Sequence, residues 1–256
     1  MGMKVRILGC GTSSGVPRIG NDWGACDPSE PRNRRSRASI LVESATTRIL
    51  VDTTPDMRQQ LLDADMIAID AILWTHDHAD HCHGIDDCRQ IFHARGTPVP
   101  GYGFPATIRQ LRQRFDYVFA GRDGYPPTVE GGELLADMMI GDIRVRAVAQ
   151  PHGDIYSAGL RFDHGDRSIG YSTDFHDVTD DMRDLFSGVD LWIVDALRVR
   201  PHPTHAHLDL TLAAIRDCAP KRAVLTHMDQ SMDYASLAAN LPNGVEPAHD
   251  GMEVLL

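Results

Sequence analysis

Charged and apolar side chains alternate over residues 4–8, and the alternation stops at Gly9-Cys10-Gly11-Thr12-Ser13-Ser14-Gly15-Val16-Pro17. A period of two marks a strand, and the glycines mark a tight loop after it. Residues 39–43 and 48–52 are two further apolar runs joined by a short turn, which predicts a hairpin closed by Asp52. Residues 55–62 have helical character with Pro55 at the start, and residues 71–74 predict a buried strand. Helices are predicted over 84–92 and 106–115, on either side of a short strand at 97–102. Residues 121–128 form a Gly- and Pro-rich loop, a candidate lid. The polar segment 21–37, interrupted by Pro28 and Pro31, reads as a long loop. The second half repeats the rhythm, with strands predicted at 142–149, 157–162, 167–171, 191–194 and 222–225 and helices at 180–186, 208–218 and 234–240. Each half holds mixed strands and helices without an internal repeat, which predicts the α/β class. A length of 256 residues fits one domain over 1–256.

Several strands end on polar residues, and those ends carry the candidate chemistry. Thr75-His76-Asp77-His78-Ala79-Asp80-His81 follows the strand at 71–74 and places three imidazoles and two carboxylates in one loop. In extended chain alternate side chains share a face, so His76, His78 and Asp80 can point one way, with His81 where the chain bends into a helix. A lone histidine is more often a surface or core residue, but H-x-H-x-D-H concentrates ligands suited to a transition metal. One corner cannot complete a coordination shell. Further candidates stand at later strand ends: His152 after Gln150-Pro151, Asp174 after Ser172-Thr173, and His227 after Leu225-Thr226. Seven ligands, one of them a carboxylate able to bridge, suit two metals about 3.5–4 Å apart better than one.

Composition narrows the partners. Hydrophobic residues make up 42% and charged residues 24%, an ordinary soluble balance. Lys+Arg number 25 against Asp+Glu 36, and the net charge of -11 disfavours a long nucleic acid. Arg32, Arg34, Arg35 and Arg37 crowd together. Such a run is commonly a solvated face, and Arg35 is the candidate substrate contact within it. The absence of a leader-like start and of any run of about 20 apolar residues makes a cytoplasmic protein without a membrane partner the expectation. Five cysteines, Cys10, Cys26, Cys82, Cys88 and Cys218, are odd in number and lack a C-x-x-C pair, which predicts reduced packing residues. The loop at 9–17 is neither a dinucleotide fingerprint nor a Walker A sequence, although its hydroxyls are able to donate to a phosphate.

The ordered set of His76, His78, Asp80 and His81, then one His, one Asp and a last His, resembles the metallo-β-lactamase superfamily from Lys4 to the C-terminus. The resemblance implies an αββα sandwich, two mixed sheets back to back with helices outside. It also implies that His76, His78 and His152 hold a first metal, that Asp80, His81 and His227 hold a second, and that Asp174 bridges. Leu8-Gly9-Cys10-Gly11-Thr12, Ala206-His207-Leu208-Asp209-Leu210 and Leu225-Thr226-His227 resemble the phosphodiesterase branch, and within it the phosphoribosyl 1,2-cyclic phosphate phosphodiesterases of phosphonate breakdown. Some members carry a cysteine-rich segment that holds a structural zinc; Cys26 stands alone here, so no such zinc is expected. The branch implies two divalent ions, manganese or zinc, a homodimer, and hydrolysis of a small anionic cyclic phosphodiester by hydroxide held at the metals. His207, in the turn Arg200-Pro201-His202-Pro203-Thr204-His205-Ala206-His207, resembles the family's non-ligand catalytic histidine. His207 and Asp80 are thus the candidate catalytic residues, and His205, with His202, lines the entrance as a candidate substrate contact. Three other expectations compete. A ribonuclease Z-like tRNA-processing endonuclease is disfavoured by the acidic charge; a thioester hydrolase of the glyoxalase II kind would share the metal core; a non-catalytic metal-binding regulator would not need a candidate acid.

Overall fold

The computed structural model describes residues 2–256. Six strands build most of the first sheet: β1 (Lys4–Gly9), β2 (Ser39–Glu43), β3 (Arg48–Val51), β4 (Ala71–Leu73), β5 (Val99–Gly103) and β6 (Val129–Glu133). The second sheet follows with β7 (Asp137–Ile140), β8 (Ile143–His152), β9 (Ile155–His164), β10 (Arg167–Ser172), β11 (Leu191–Asp195), β12 (Ala223–Thr226) and β13 (Val245–Pro247). A last strand, β14 (Glu253–Leu255), returns to the first sheet beside β1, so each sheet has seven strands. Both are mixed in the same way: antiparallel from β14 to β3 and from β7 to β10, parallel from β3 to β6 and from β10 to β13.

The period of two sorts the first sheet's side chains. Ile40 and Val42 of β2, Ile49 and Val51 of β3, and Ala71 and Leu73 of β4 join a core with Val145, Leu160, Ile169 and Ile193 of the second sheet. Leu41, Leu50 and Ile72 join a separate cluster with Leu61 of α1 (Met57–Asp63), Ile91 of α3 (Cys88–Arg95), Leu111 of α4 (Pro105–Arg114) and Val118 of α5 (Asp116–Ala120). Between α1 and α3 lies the short α2 (Ala79–Cys82). With both faces covered, these strands read as nearly continuous apolar runs. On the other side α6 (Asp180–Phe186), α7 (Leu208–Cys218) and α8 (Tyr234–Asn240) bring Phe186, Ile215 and Leu237 into the cluster of the second sheet. The layers are therefore helix, sheet, sheet and helix, as the resemblance implied. Helix starts follow local chemistry: Thr179 caps α6 by accepting from Met182 N, and Asp233 caps α8 by accepting from Ser236 N.

The chain departs from its periodicity where elements are short. The stretch 84–92 divides into a 3-10 turn, Ile85–Asp87, and α3, which ends at Gly96 in the left-handed region (φ 74°). Strands β6, β7, β13 and β14 and helix α5 leave no clear periodic mark, since they span three to five residues each. The β8–β9 hairpin is longer than its pattern suggests, with His152 inside β8 and not after it.

Topology brings one set of strand ends together. Both β8 and β10 run antiparallel to β9, and β10, β11 and β12 run parallel, so four C-terminal ends share one edge of the second sheet. A bond from Ala158 N to Thr75 O (2.9 Å) ties β9 to the loop after β4. The loop carrying H-x-H-x-D-H thus lies against the edge where β8, β10 and β12 end.

Candidate metal centre

All seven sequence-predicted ligands converge at that edge. His76 and His78 follow β4, Asp80 and His81 sit in α2, His152 ends β8, and Asp174 and His227 follow β10 and β12. His76, His78, His152 and Asp174 form one group, and Asp80, His81, His227 and Asp174 another, each with one ligand atom per residue within 4.8 Å of the others. Asp174 is the common member. Its Oδ2 lies 3.3 Å from His76 Nε2, 3.4 Å from His81 Nε2 and 3.6 Å from His152 Nε2, while Oδ1 lies 3.2 Å from His227 Nε2. Asp80 Oδ2 is 3.4 Å from His81 Nε2 and 3.6 Å from His227 Nε2.

The donor set fits divalent ions on two further grounds. His76 Nε2, His81 Nε2 and His227 Nε2 are buried without a hydrogen-bond partner, which is costly for a polar nitrogen unless something else engages its lone pair. Their opposite nitrogens, where bonded, face acceptors. His81 Nδ1 lies 2.7 Å from Asp52 Oδ2, and His152 Nδ1 2.8 Å from Thr204 O. Thr75 Oγ1 donates to Asp52 Oδ2 (2.8 Å), which leaves it to accept from His76 Nδ1 (3.1 Å). With Nδ1 protonated in these three rings, Nε2, the side facing Asp174, is the nitrogen that would engage an ion once it gives up any proton of its own.

Charge within the cluster is unevenly distributed. Burial, aided by the charge on His81, pushes His76 down to about 3. Burial also lowers His152, against the pull of Asp174. Burial works against protonation of His227 too, but Asp174 and Asp80 raise it to about 9. For His81 the same opposition is outweighed by Asp174, Asp80 and Asp52, which hold it well above its ordinary value. Burial pushes Asp80 up, yet His81 and His227 take it far below the carboxylate range. Protons on two imidazoles thus balance buried carboxylates, a balance that divalent cations would supply in their place.

A cleft of about 400 Å³ opens on this cluster, lined by Ser13, His78, Asp80, His152, Asp174 and His205 among others. His205 belongs to the centre: its ring stacks on His227 (5.0 Å, 15°) and its Nδ1 lies 3.3 Å from Asp195 Oδ2. His207 is not brought into it. That residue stands at the N-cap of α7 without a capping side-chain bond, outside the lining of the cleft. Arg35 is not brought there either, because its guanidinium is buried against Asn33 Oδ1, Asp229 O and Met232 O. Its neighbours are similarly engaged, Arg32 with Glu30 and Arg37 with Asp56. Loop residues Arg122, Asp123, Tyr125, Pro126 and Thr128 line a different cavity, with Asp86 and Tyr117. The five cysteines are free and buried. No helix among the described residues is long and apolar enough to cross a membrane.

Sequence reasoning passed over Asp52 as a site residue and passed over Asp195 altogether. Both are fully buried at the end of an apolar strand, the same signal that drew attention to Asp174.

Comparisons with known proteins agree with this geometry. The chain is 30% identical over 261 residues to an octanoyltransferase of Porphyromonas gingivalis, covering 99% of this chain and 52% of that protein, so it spans about half of that relative's length. It is 24% identical over 310 residues to coenzyme PQQ synthesis protein B of Xanthomonas campestris pv. campestris, covering 99% and 100% of the two chains. A solved diphosphatase of the PhnP family superposes with a TM-score of 0.91 at 35% identity, over 100% of this chain and 98% of that one. Zinc-bound PqqB from Methylobacterium extorquens shares the fold, with a TM-score of 0.80 at 20% identity over 99% and 100% of the chains. The profile of the Beta-lactamase superfamily domain matches residues 47–228, a span that holds all seven clustered ligands. The chain therefore belongs to the Beta-lactamase superfamily and has the metallo-β-lactamase fold.

Proposed function

We propose that this chain is a dinuclear-metal-dependent phosphodiesterase acting on a small cyclic phosphodiester such as phosphoribosyl 1,2-cyclic phosphate, and that it works as a homodimer. The supporting observation is the pair of ligand groups sharing Asp174, open to a cleft of about 400 Å³ that suits a sugar phosphate better than a folded RNA. His76, His78 and His152 would hold one ion, Asp80, His81 and His227 the other, and Asp174 both; manganese and zinc each suit such a donor set. When bound, such ions supply Lewis acidity toward phosphoryl oxygens and make water a nucleophile at neutral pH.

The chain's own residues orient the reaction. Asp52, Thr75 and Thr204 O hold the ligand imidazoles in one tautomer. His205 gives its Nε2 proton to the departing sugar oxygen; the P–O bond breaks with its electron pair on that oxygen, and the ring regains a proton from solvent. His205 takes this role, and not His207, because it lines the cleft and packs on His227. Similarity to a diphosphatase favours a second reading, in which the same residues cleave a P–O–P link.

The test is a hydrolysis panel with protein reconstituted in manganese or zinc, using cyclic phosphoribose, a 2′,3′-cyclic nucleotide, a diphosphate diester, precursor tRNA and a thioester. The cyclic phosphoribose is expected to have the highest kcat/KM. Preference for the diphosphate moves the assignment to the second reading, and preference for tRNA or thioester overturns both.

A further inference from the structure

Asp195 is a buried carboxylate that the reading above leaves without a role. It closes β11, a strand paired on one side with β10 and on the other with β12, and the register sets it beside Thr226, the residue before His227. Its backbone is held as well, since Thr211 Oγ1 of α7 donates to Asp195 O (2.6 Å). The side chain is fully buried. Oδ2 lies 3.3 Å from His205 Nδ1, and Oδ1 has no hydrogen-bond partner. An ionised carboxylate is expensive to bury unless a charge or donor answers it, so the position needs a compensating partner.

His205 needs a partner equally. It sits in the irregular segment between β11 and α7, where no helix or strand sets its ring direction. The ring lies between His227 and the edges of His152 and His202, with centroids 5.0, 4.8 and 5.0 Å away. The neighbouring rings are otherwise served, His81 by Asp52 and His152 by Thr204 O, which leaves Asp195 for His205.

We infer that Asp195 is the positioning residue of His205: its carboxylate accepts the Nδ1–H, fixes the direction of the ring, and stabilises the imidazolium that gives its Nε2 proton to the leaving oxygen and keeps the one on Nδ1. The inference rests on the reading of His205 as the proton donor. Asp195 and His205 also form, with Asp174 and His227, a group whose ligand atoms lie within 4.8 Å of one another, so a direct metal-ligand role for Asp195 is the rival account.

The experiment compares wild type, Asp195→Asn, His205→Gln and the double variant. Each is reconstituted, assayed for metal content, and measured on a cyclic sugar phosphate and on a nitrophenyl phosphodiester whose leaving group needs no proton. Asp195→Asn is expected to keep both metals and to lose about 10- to 100-fold in kcat on the sugar substrate, the usual size for a residue orienting a functional histidine. It should lose little on the nitrophenyl ester, and the double variant should match His205→Gln. A second readout needs no turnover. In ¹⁵N-imidazole spectra of the metal-free protein, His205 should show a hydrogen-bonded Nδ1–H that disappears in Asp195→Asn. Loss of a metal in Asp195→Asn, equal losses on both substrates, or an unchanged His205 spectrum would overturn the inference. If His205→Gln slows both substrates alike, the proton-donor reading fails first and takes the inference with it; a leaving-group effect in His205→Gln but none in Asp195→Asn removes the inference alone.

Discussion

Asp174 adopts φ of 54°, and Asp52 and His227 adopt 66° and 58°, all in the left-handed region that non-glycine residues seldom occupy. Asp52 and His227 directly follow the last residue of a strand and Asp174 comes two residues after one, so the unusual backbone turns a side chain of the candidate centre at each strand end. Burial pushes the Asp174 carboxyl up, but His227, His81 and His205 bring it well below the usual range. Replacing Asp174 with Ala removes the one group common to both ligand sets. Elemental analysis of that variant should show occupancy lost at both positions along with turnover, and full retention of either would argue against a shared ligand. A different carboxylate tests stability apart from the metals. Asp233 caps α8 and accepts from Ser236 N (2.9 Å), Asn33 Nδ2 (2.7 Å) and Asp27 N (3.1 Å). Partial burial opposes ionisation, yet these bonds bring its carboxyl down to about 2. Because the folded value lies below the unfolded one, the stabilisation is complete above pH about 4 and fades as pH falls toward the folded value. Asp233→Ala should therefore lower stability by about 0.5–2 kcal/mol at neutral pH. In urea titrations its difference from wild type should shrink as pH falls from about 4 to about 2.

At the scale of the element, β4 is three residues long and yet positions the loop with four of the candidate ligands. Its exit is braced by Trp74 N to Tyr102 O (2.8 Å), Trp74 Nε1 to Thr53 Oγ1 (2.9 Å) and Thr75 N to Asp52 Oδ1 (2.8 Å). The indole of Trp74 is fully buried and lies over Gly101 of β5, where an added Cβ would fall 2.5 Å from Trp74 Cζ3. A methyl group there forces the indole or the strand to move. Gly101→Ala is expected to destabilise by about 1–3 kcal/mol, the usual range for overpacking, read as a lower urea midpoint. Metal affinity should weaken in the same variant, because the displaced indole precedes Thr75 and His76. A normal midpoint with normal metal binding would show that β5 yields without disturbing the loop.

For the whole molecule, the centre joins the two sheets. His76, His78, Asp80 and His81 come from the segment after β4, and His152, Asp174 and His227 come from strand ends of the second sheet. Ions bound there would cross-link the halves of the sandwich and favour the folded chain. At an ion concentration 100-fold above Kd, one site contributes about 2.7 kcal/mol, or several degrees in Tm for a chain of this size. Chelator-treated protein should melt lower than the reconstituted form, and manganese or zinc should restore the difference. Identical melting curves would mean that no such cross-link forms.

The local pattern alone identified the hairpin of β2 and β3 and the helices α6, α7 and α8, because an apolar period and a turn act within a few residues. It also named the seven residues that the structure brings together, since each stands on or near the end of an apolar run. Short elements were not legible in this way. Val129–Glu133 contains two glycines, and Glu253–Leu255 becomes a strand by pairing with β1, from which it is separated by nearly the whole chain. The choice among His202, His205 and His207 likewise depended on tertiary structure. All three share one irregular segment, and only the packing of that segment against His227 and Asp195 directs His205 to the cleft. Arg35 reads as a free cation in the sequence, whereas the fold surrounds it with backbone carbonyls from residues about 200 positions away. Residue types and strand ends are properties of neighbouring positions, so the chain declares them; the partner of a buried charge is set by which distant segments meet, and only the folded molecule decides that.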